Sequence, residues 1–368
     1  MALDPRSLAW ATLAHKSLPQ RALVALLRAF GDPATILGAT HAQLSRVVAS
    51  AAADLARAPI PAEALELTSR WLDAPDHHLI AWDDADYPRA LFELPDAPPA
   101  LFYMGRRELL GRPAFAIVGS RHGTPQGLAT AREFAHALGA AGLTIVSGLA
   151  LGIDAAAHEG ALGTAGSTLA VVGTGLDRIY PARNRDLATR IARDGGILSE
   201  YLPGTPARKE NFPRRNRLIS GLARGVLVVE ATLSSGSLIT ARLAGEQGRE
   251  VFAIPGSIHS PFSKGCHKLI REGAKLVETA QDVLDEFAWA PGAAAKQAAS
   301  AARGSTRPAE ASPLLVAMGY DPVTIDALVE RTGVAPESIT GELVTLELAG
   351  RVAALPGGYW QRVEPPNA

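Results

Sequence analysis

The sequence has little of what marks an exported, membrane-bound or generally basic protein. Its 368 residues include one cysteine, Cys266, which excludes an internal disulfide and fits a reducing compartment. No apolar run approaches the roughly 20 residues of a membrane-spanning helix. Lysine and arginine total 36 against 37 acidic residues, a formal net charge of -1, so nucleic-acid binding would require a local basic patch. We therefore expect a soluble cytoplasmic protein with no membrane partner.

Sequence motifs for the common cofactors are also missing. No Gly-x-x-x-x-Gly-Lys-Ser/Thr run occurs, which excludes the usual P-loop. Gly173-Thr-Gly175 begins a dinucleotide fingerprint, but Arg178 stands where its third glycine belongs. Cysteine and histidine show no metal-ligand spacing. We expect neither a cofactor nor a metal.

The sequence does contain one pattern five times: a short apolar run, with glycine or serine near most of the run ends, followed by a stretch with helical spacing. Runs without polar alternation predict strands buried on both faces, as in a parallel sheet covered by helices. Ligands of open α/β sheets bind outside the carboxyl ends of the strands, so we expect the site there. The runs are Phe115–Ser120, Thr144–Gly148, Leu169–Gly175, Val226–Glu230 and Val251–Ser257.

Composition divides the chain into four segments. Residues 1–75 have the apolar spacing of several short helices packed as a small bundle. Residues 76–290 carry the sheet, beginning with a stretch rich in proline and aromatics, 79–104, that predicts an irregular connector. Residues 291–311 have almost nothing to bury and predict a flexible linker. Residues 312–365 read as three helices and a hairpin, which is a winged-helix pattern.

The predicted winged helix is acidic. Between Ser312 and Val363 three arginines face six acidic residues, a net charge of -3. Its third helix, from about Glu337 to Leu348, carries three glutamates and no basic residue. Phosphates would repel this helix, although it is the one that a winged helix normally places in the DNA groove. We expect a protein-contact module and not a reader of duplex DNA.

The strongest concentration of positive charge lies between Gly204 and Arg224, where six basic residues face Glu210 alone. Pro213 suits the first position of a helix, which would put three arginines in a first turn whose N–H groups favour a bound anion. Two other readings stay open: the arginines form ion pairs with acidic neighbours, or a fully paired patch leaves a pure scaffold. The basic residues are Arg208, Lys209, Arg214, Arg215, Arg217 and Arg224.

A second cationic element follows the first sheet strand. Arg121 comes directly after Gly119 and Ser120, and a guanidinium beside open backbone N–H groups can grip a phosphate through two hydrogen bonds. Each glycine alone is equally well explained by a tight turn, so only their joint placement is informative. The residues predicted to line the same crevice from neighbouring strands are Ser147, Gly148, Gly173 and Gly175.

The crevice also offers candidates for catalysis. Asp154 and His158 lie four residues apart on a probable helix, while Asp177 and Glu230 follow strands. Such carboxylates could cleave a nucleotide glycosidic bond. Alternatively, Asp154 stabilises a helix start and His158 packs under the loops.

Motifs spread over residues 80 to 290 resemble, in unbroken order, those of the bacterial DNA-processing protein A family (DprA/Smf). Each motif is short, but the combination is highly specific. They are Gly119-Ser-Arg121, Ser147-Gly-Leu-Ala with Gly152-Ile-Asp154 and His158, Gly173-Thr-Gly-Leu-Asp177 with Tyr180-Pro181 and Asn184, Asn211-Phe-Pro with Arg215-Asn-Arg217, Val229-Glu-Ala with Ser235-Gly-Ser-Leu-Ile-Thr-Ala241, and Gly265-Cys266 with Leu269-Ile270 and Gly273-Ala274.

The resemblance implies an α/β fold class: an extended Rossmann-like, mostly parallel sheet domain between a small helical, sterile-alpha-motif-like (SAM-like) domain and a winged helix. It implies a single-stranded DNA binder that is not an enzyme. Proteins of this family mediate recombination, protecting single strands taken up in natural transformation and helping to load the RecA recombinase. They typically form homodimers through the Rossmann-like domain. Single-stranded DNA, RecA and a second copy are therefore the expected partners.

Carried onto this chain, the resemblance makes Arg121 the main phosphate contact. Many relatives have a lysine after Tyr180-Pro181, whereas Ala182 stands here and Arg183 is the candidate to replace its contact. His267 replaces the usual asparagine after Gly265-Cys266. The full predicted DNA-binding set is Gly119, Ser120, Arg121, Ser147, Gly148, Gly173, Gly175, Arg183, Asn184, Phe212, Arg214, Arg215, Asn216, Arg217, Ser235, Gly236 and Lys264.

Three aromatic residues near the basic loops, Tyr180, Tyr201 and Phe212, are candidates to stack DNA bases, although they would be equally ordinary in a core. Phosphate and stacking contacts carry little sequence information, so we expect binding largely indifferent to base sequence. The alternative function is a nucleotide-processing enzyme, such as a phosphoribohydrolase, that uses the same crevice. The Pro-Gly-Gly-x-Gly-Thr motif of those enzymes is replaced here by Ser234-Ser-Gly-Ser-Leu-Ile-Thr240.

Overall fold

A computed structural model describes residues 4–16, 18–289 and 312–363 of the chain. The predicted linker, 291–311, lies outside the described residues. Among those residues no helix is both long enough and apolar enough to cross a bilayer. The domain limits inferred from composition remain predictions.

Six short helices form the amino-terminal bundle, as predicted. The first begins where Asp4 accepts hydrogen bonds from the N–H groups of Arg6 and Ser7, with Pro5 in its first turn. Trp10, Leu26 and other apolar side chains fill a core that continues onto the sheet. The helices are α1 (Pro5–Ala14), α2 (Gln20–Phe30), α3 (Pro33–Gly38), α4 (His41–Leu44), α5 (Ser50–Arg57) and α6 (Ala62–Leu72).

The central domain is built on one nine-stranded sheet in the order β1-β2-β6-β5-β4-β3-β7-β8-β9. The five predicted strands are confirmed, and they run parallel; Ala116 at the centre pairs with Val146 on one side and Val226 on the other. The strands are β1 (His77–Ala81), β2 (Ala100–Gly105), β3 (Ala114–Val118), β4 (Thr144–Ser147), β5 (Thr168–Val171), β6 (Gly196–Ser199), β7 (Gly225–Val228), β8 (Glu250–Ala253) and β9 (Lys275–Leu276).

Two parts of the sheet differ from the sequence predictions. The stretch 79–104, predicted as an irregular connector, contains most of β1 and β2, which pair antiparallel at one edge of the sheet. The prolines and aromatics lie largely between these strands, around a 3₁₀ turn at Arg89–Glu93. Strand β6 is not predicted from the sequence, because it begins in the glycine pair Gly195-Gly196, which is typical of a turn; it nevertheless joins the parallel strands to β2.

Helices cover both faces of the sheet, and the strand order reverses at its centre. Strands β4, β5 and β6 follow β3 on one side, whereas β7 lies on the other, so β3 and β7 flank the topological switch point. Helices α7 and α8 pack on one face, and α10 and α11 pack on the opposite face. The helices are α7 (Pro125–Ala140), α8 (Ile153–Ala161), α9 (Arg185–Asp194), α10 (Asn211–Leu222), α11 (Ser237–Glu246), α12 (Lys264–Arg271) and α13 (Ala280–Glu286).

The carboxyl-terminal unit is a winged helix, as predicted. Its hairpin turns at Gly357 and Gly358, whose φ angles of 85° and 78° suit glycine. Leu315, Leu328 and Leu343 are fully buried in its separate core. Its elements are α14 (Pro313–Met318), β10 (Val323–Thr324), α15 (Ile325–Thr332), α16 (Pro336–Leu348), β11 (Val352–Leu355) and β12 (Tyr359–Arg362), with strand order β10-β12-β11.

Candidate nucleic-acid interface

The loop after β3 holds Arg121 at the switch point of the sheet. The Ser120 N–H donates to the Glu230 carbonyl over 2.7 Å, which ties this loop to the end of β7. Gly119 allows a close approach of α8, because a Cβ there would lie 2.7 Å from the side chain of Ile153. Arg121 itself is exposed, and no carboxylate of the described residues lies within ion-pair distance of it. Its guanidinium is therefore open to a phosphate.

The amino terminus of α10 sits over the carboxyl ends of β4 and β5. Asn211 donates through its side-chain amide to the Gly173 carbonyl over 2.9 Å and begins the helix. Pro213 is therefore the third helical residue, and the prediction that it is the first is wrong. The earlier start turns Phe212 toward the strand ends, where its ring lies 3.2 Å from the position a Gly173 Cβ would occupy. A Cβ at position 173 would be in tight contact with the ring, so glycine allows this close approach.

Three side chains, two from loops and one from the first turn of α10, meet above these strand ends. The Arg121 guanidinium carbon lies 5.9 Å from the centre of the Phe212 ring. The Tyr180 and Phe212 ring centres are 5.5 Å apart, and Tyr180 is 49% exposed. We call Arg121, Tyr180 and Phe212 the Arg121 cluster. It combines an unpaired cation with accessible aromatic faces, which are the two elements that bind unpaired nucleotides.

Further cations extend the positive surface around this cluster. Arg183 lies exposed in the 3₁₀ turn Ala182–Asn184, and Arg208 and Lys209 are exposed just before α10. Arg214 keeps 57% of its side chain exposed, although one guanidinium nitrogen is 3.6 Å from Glu200. Asn216 is half-buried on the same helix.

Arg215 does not belong to this open surface, contrary to the sequence prediction. It is 5% exposed and donates to the carbonyl oxygens of Gly148, over 2.7 Å, and of Val171. Burial lowers the pKa of Arg215 to about 10, although the negative charge of nearby Asp154 acts in the opposite direction. Arg215 therefore stays protonated near neutral pH. Arg215 holds the strand ends together from below.

Arg217 is also buried, so the interface loses a second predicted arginine. Its guanidinium pairs with Glu200 at 2.6 Å and with Asp96 at 2.9 Å. Burial raises the pKa of Glu200, while the positive charges of Arg217 and Arg214 act to lower it. The ion-pair reading left open by the sequence is therefore correct for Arg217 and holds in part for Arg214. Glu200 directly follows β6 and lies outside the basic stretch Gly204–Arg224, so the charge count of that stretch does not include it.

Arg224, at the end of the same basic stretch, has a structural contact of another kind. Its guanidinium carbon lies 5.2 Å from the ring centre of Phe287 and 5.5 Å from that of Trp289. It lies at the amino end of β7, whereas the Arg121 cluster lies at the carboxyl ends of the strands. The net positive charge available to DNA is thus smaller than the sequence indicates.

The predicted donors in the loop after β4 are used within the protein. The Ser147 hydroxyl donates to the Ile117 carbonyl over 2.6 Å, and the Gly148 N–H donates to Asp154 over 3.1 Å. The Asn184 amide donates to the Leu149 carbonyl over 2.9 Å. Ser147, Gly148 and Asn184 therefore shape the surface and do not present these groups to a ligand. Gly175 serves a close approach as well, since a Cβ there would lie 2.5 Å from the Leu202 carbonyl.

The acidic and histidine candidates for catalysis are each engaged by neighbouring loops. Glu230 accepts hydrogen bonds from the N–H of Thr124, at 2.8 Å, and from its hydroxyl, at 2.6 Å, while burial raises the Glu230 pKa. Asp177 accepts from the Gly204 N–H over 2.7 Å and pairs with Arg178. These bonds hold the loops that carry both carboxylates.

His158 is fully buried and neutral. Its Nε2 accepts a hydrogen bond from the Leu149 N–H over 3.3 Å, so the proton must lie on Nδ1, which donates to the Thr168 hydroxyl over 2.7 Å. Burial lowers the His158 pKa to about 3, with a smaller contribution from Arg215. Asp154, whose pKa burial raises, holds the same loop. Both residues pack under the loops, which agrees with the structural alternative given by the sequence.

The remaining predicted residues lie on the far side of the switch point. Ser235 and Gly236 precede α11, and the Ser235 hydroxyl is 2.7 Å from that of Ser237. Lys264 begins α12 and donates to the Ile258 carbonyl. Within the described ranges, no hydrogen bond, ion pair or ring contact joins these three to the Arg121 cluster. The same ranges contain no group of three or more potential metal-ligating His, Cys, Asp or Glu side chains.

Comparison with protein families gives two matches. Residues 78–288 match the model described as DNA recombination-mediator protein A. Residues 294–358 match the model of the DprA winged helix domain.

Similar proteins come from several bacteria. Protein Smf of Escherichia coli K12 is 45% identical over 305 residues, which cover 81% of this chain and 81% of the relative. DNA processing protein DprA of Streptococcus pneumoniae R6 is 54% identical over 204 residues, 55% of this chain and 72% of the relative.

Two solved structures share the fold. That of DNA processing protein A from Streptococcus pneumoniae has 40% sequence identity and a TM-score of 0.68, covering 78% of this chain and 99% of its own. The structure of DNA processing protein A from Helicobacter pylori has 33% sequence identity and a TM-score of 0.53, and the match covers 57% of this chain and 95% of that one. The latter is described as showing that protein's single-stranded DNA binding mode.

Proposed function

This chain belongs to the DNA recombination-mediator protein A family, and from that premise we propose that it binds single-stranded DNA at the Arg121 cluster and leaves the strand intact. The observation that carries the proposal is the position of Arg121, exposed, without a carboxylate partner in the described part of the chain, and 5.9 Å from the Phe212 ring. A nucleotide whose phosphate binds the guanidinium would have its base beside Phe212 and Tyr180.

The shape of the interface favours an unpaired strand. Its cations and rings come from the loops after β3 and β5 and from the amino-terminal part of α10. A single strand can bend so that its phosphates and its bases both enter such a cluster, whereas in a rigid duplex the bases stay stacked and paired. Because neither contact type reads base edges, binding is expected to be nearly independent of sequence.

We propose that this binding serves DNA recombination. The protein would protect single strands that enter the cell in natural transformation and help RecA to assemble on them. The relative from Helicobacter pylori supports the DNA-binding step, through the binding mode ascribed to it. RecA loading is tested by following RecA filament assembly on a single strand already covered by a single-strand-binding protein. Wild-type protein should shorten the lag, and Arg121→Ala should not.

We further propose a homodimer as the working unit. Leu276 lies on the two-residue edge strand β9 and is 51% exposed, so a second chain has an apolar contact available there. Light scattering of wild type and Leu276→Glu tests this proposal. A monomeric wild type would contradict the dimer, and a dimeric variant would exclude this edge as its interface.

We propose no catalysis in the crevice, because Glu230, Asp177 and Asp154 are engaged by loop hydrogen bonds. Incubation with nucleoside monophosphates, followed by chromatography of free base, tests the alternative enzyme. We expect no base release above buffer. Release that disappears in Glu230→Gln would establish the alternative.

The direct test of the proposed function is fluorescence anisotropy with labelled single- and double-stranded oligonucleotides over a salt series. We expect tighter binding of the single strand, and a fall in log affinity with log salt of about 0.7 per phosphate neutralised. Equal affinity for both forms, or no binding at low salt, would contradict the proposal.

A further inference from the structure

The outer face of α16 carries apolar side chains that the winged-helix core does not use. Ile339, Leu343 and Leu346 point into that core, whereas Val344 is 45% exposed and Leu348 is 87% exposed. Val344 and Leu348 lie one turn apart, and Gly341 lies one turn before Val344. A Cβ at Gly341 would have no atom within 4 Å, so the surface is open there. We call Gly341, Val344 and Leu348 the α16 stripe.

Exposed glutamates lie close to this stripe. Glu337, Glu342 and Glu347 lie on the same helix, which has no lysine, arginine or histidine. Glu342 accepts a hydrogen bond from the Ser312 hydroxyl, and Glu347 accepts one from the Ala354 N–H over 3.3 Å. No cation within the described residues forms an ion pair with any of the three. The helix therefore presents an apolar centre with an unneutralised acidic border.

Two arginines of the unit contact groups away from α16. Arg331 donates to the Ala317 carbonyl over 2.9 Å, and Arg362 lies 4.6 Å from the centre of the Tyr320 ring. Both contacts lie on elements other than α16. A nucleic acid or an anionic membrane approaching the stripe would be repelled by its border. Two copies of the stripe facing each other would bring like charges together as well.

We propose that the α16 stripe is a docking site for an amphipathic helix of a partner protein, one with an apolar ridge bordered by lysine or arginine. The ridge would cover Val344 and Leu348 and fill the space above Gly341, while the basic border would pair with Glu337, Glu342 and Glu347. This is helix-on-helix recognition, in which a few apolar anchors provide most of the affinity and the charges set orientation and partner choice. The helix that other winged helices place in DNA thus binds a protein in this chain.

The test uses the full chain and a labelled helical peptide with leucines along one face and lysines on both sides of them. Two control peptides separate the contributions: one has the same composition with the leucines scattered around the helix, and the other has glutamate in place of lysine. Wild-type protein should bind the first peptide and neither control. Peptide affinity is measured by anisotropy, first at low salt and then at raised salt.

The double variant Val344→Ser/Leu348→Ser should bind the amphipathic peptide about tenfold more weakly or worse, since it loses both anchors. The matched control is Val316→Ser on α14, which is 67% exposed but outside the stripe and should leave affinity unchanged. Circular dichroism checks that the variants fold.

Three results would overturn the proposal: equal binding of the scattered peptide, no effect of the double variant, or a loss in the double variant of binding to duplex DNA or to anionic phosphatidylglycerol vesicles. The last result would assign the stripe to nucleic acid or lipid.

Discussion

The guanidinium of Arg215 donates a hydrogen bond of 2.7 Å to the carbonyl oxygen of Gly148, which joins the first half of α10 to the loop after β4. The same side chain reaches the Val171 carbonyl at the end of β5. Arg215 therefore sets the relative position of the elements that carry the Arg121 cluster. Its charge acts on the loops of the protein, whereas the charge of Arg121 faces outward.

Arg215→Ala should lower the free energy of unfolding by about 3 to 5 kcal/mol, because it removes one charge of a buried set and leaves Asp154 uncompensated. Urea unfolding followed by circular dichroism measures the change. The neighbouring Arg214→Ala is the matched control. With 57% of that side chain exposed, we expect its effect to stay within about 0.5 kcal/mol. Equal stability of the two variants would contradict a structural role for Arg215.

Acid should destabilise the protein through His158. The pKa of this histidine is about 3 in the folded protein, against about 6.5 in an unfolded chain, so only the unfolded state takes up the proton between these values. The free energy of unfolding should fall as pH is lowered from about 6.5 toward 3, by up to about 1.4 kcal/mol per pH unit from this group. Urea unfolding at intervals between pH 7 and 5 measures the slope.

The variant His158→Asn isolates the contribution of His158. Such a variant is needed because burial raises the pKa of Asp154, and protonation of Asp154 changes the free energy of unfolding in the opposite direction over part of the pH range. The variant should be less stable at pH 7, and its stability should change less between pH 6.5 and 5 than that of wild type. An identical pH slope in both proteins would show that His158 does not titrate in this way.

Phe212→Ala should weaken single-stranded DNA binding by about 1 to 3 kcal/mol, the usual loss when one stacked base loses its aromatic platform. Anisotropy with a labelled oligonucleotide measures this loss. Phe212→Tyr keeps the ring and should retain most of the affinity. If Phe212→Tyr binds as weakly as Phe212→Ala, the ring packs against Gly173 for structural reasons and contributes no stacking.

Sequence patterns predicted the parallel strands because a run apolar on every residue has few alternatives to burial on both faces. They missed β1, β2 and β6 for physical reasons. The first two are separated by a proline-rich turn that masks their pairing, and the third begins in the glycine pair Gly195-Gly196, which is typical of a turn. These strands lack a clear local sequence pattern, and they are stabilised by hydrogen bonds to partner strands, some of which are distant along the chain.

The candidate site could be predicted by residue type but not by orientation. Arg214, Arg215 and Arg217 are close neighbours in sequence, yet the turn of α10 leaves Arg214 exposed and buries the other two. Helical geometry separates them, and the choice of buried face depends on Glu200 and Asp96, which are distant in sequence. Arg121 was recognisable because a loop at the end of a central strand is exposed whatever the details of its packing.

The most direct test of the DNA-binding surface is the salt dependence of single-stranded DNA binding by Arg121→Ala. The control is Arg193→Ala, which removes an exposed arginine paired with Asp194 at the end of α9, near the amino end of β6 and away from the carboxyl ends of the strands. We expect Arg121→Ala to bind about tenfold more weakly or worse. Its slope of log affinity against log salt should be shallower by about 0.7, while the control matches wild type. Unchanged affinity and slope in Arg121→Ala would contradict the proposed interface.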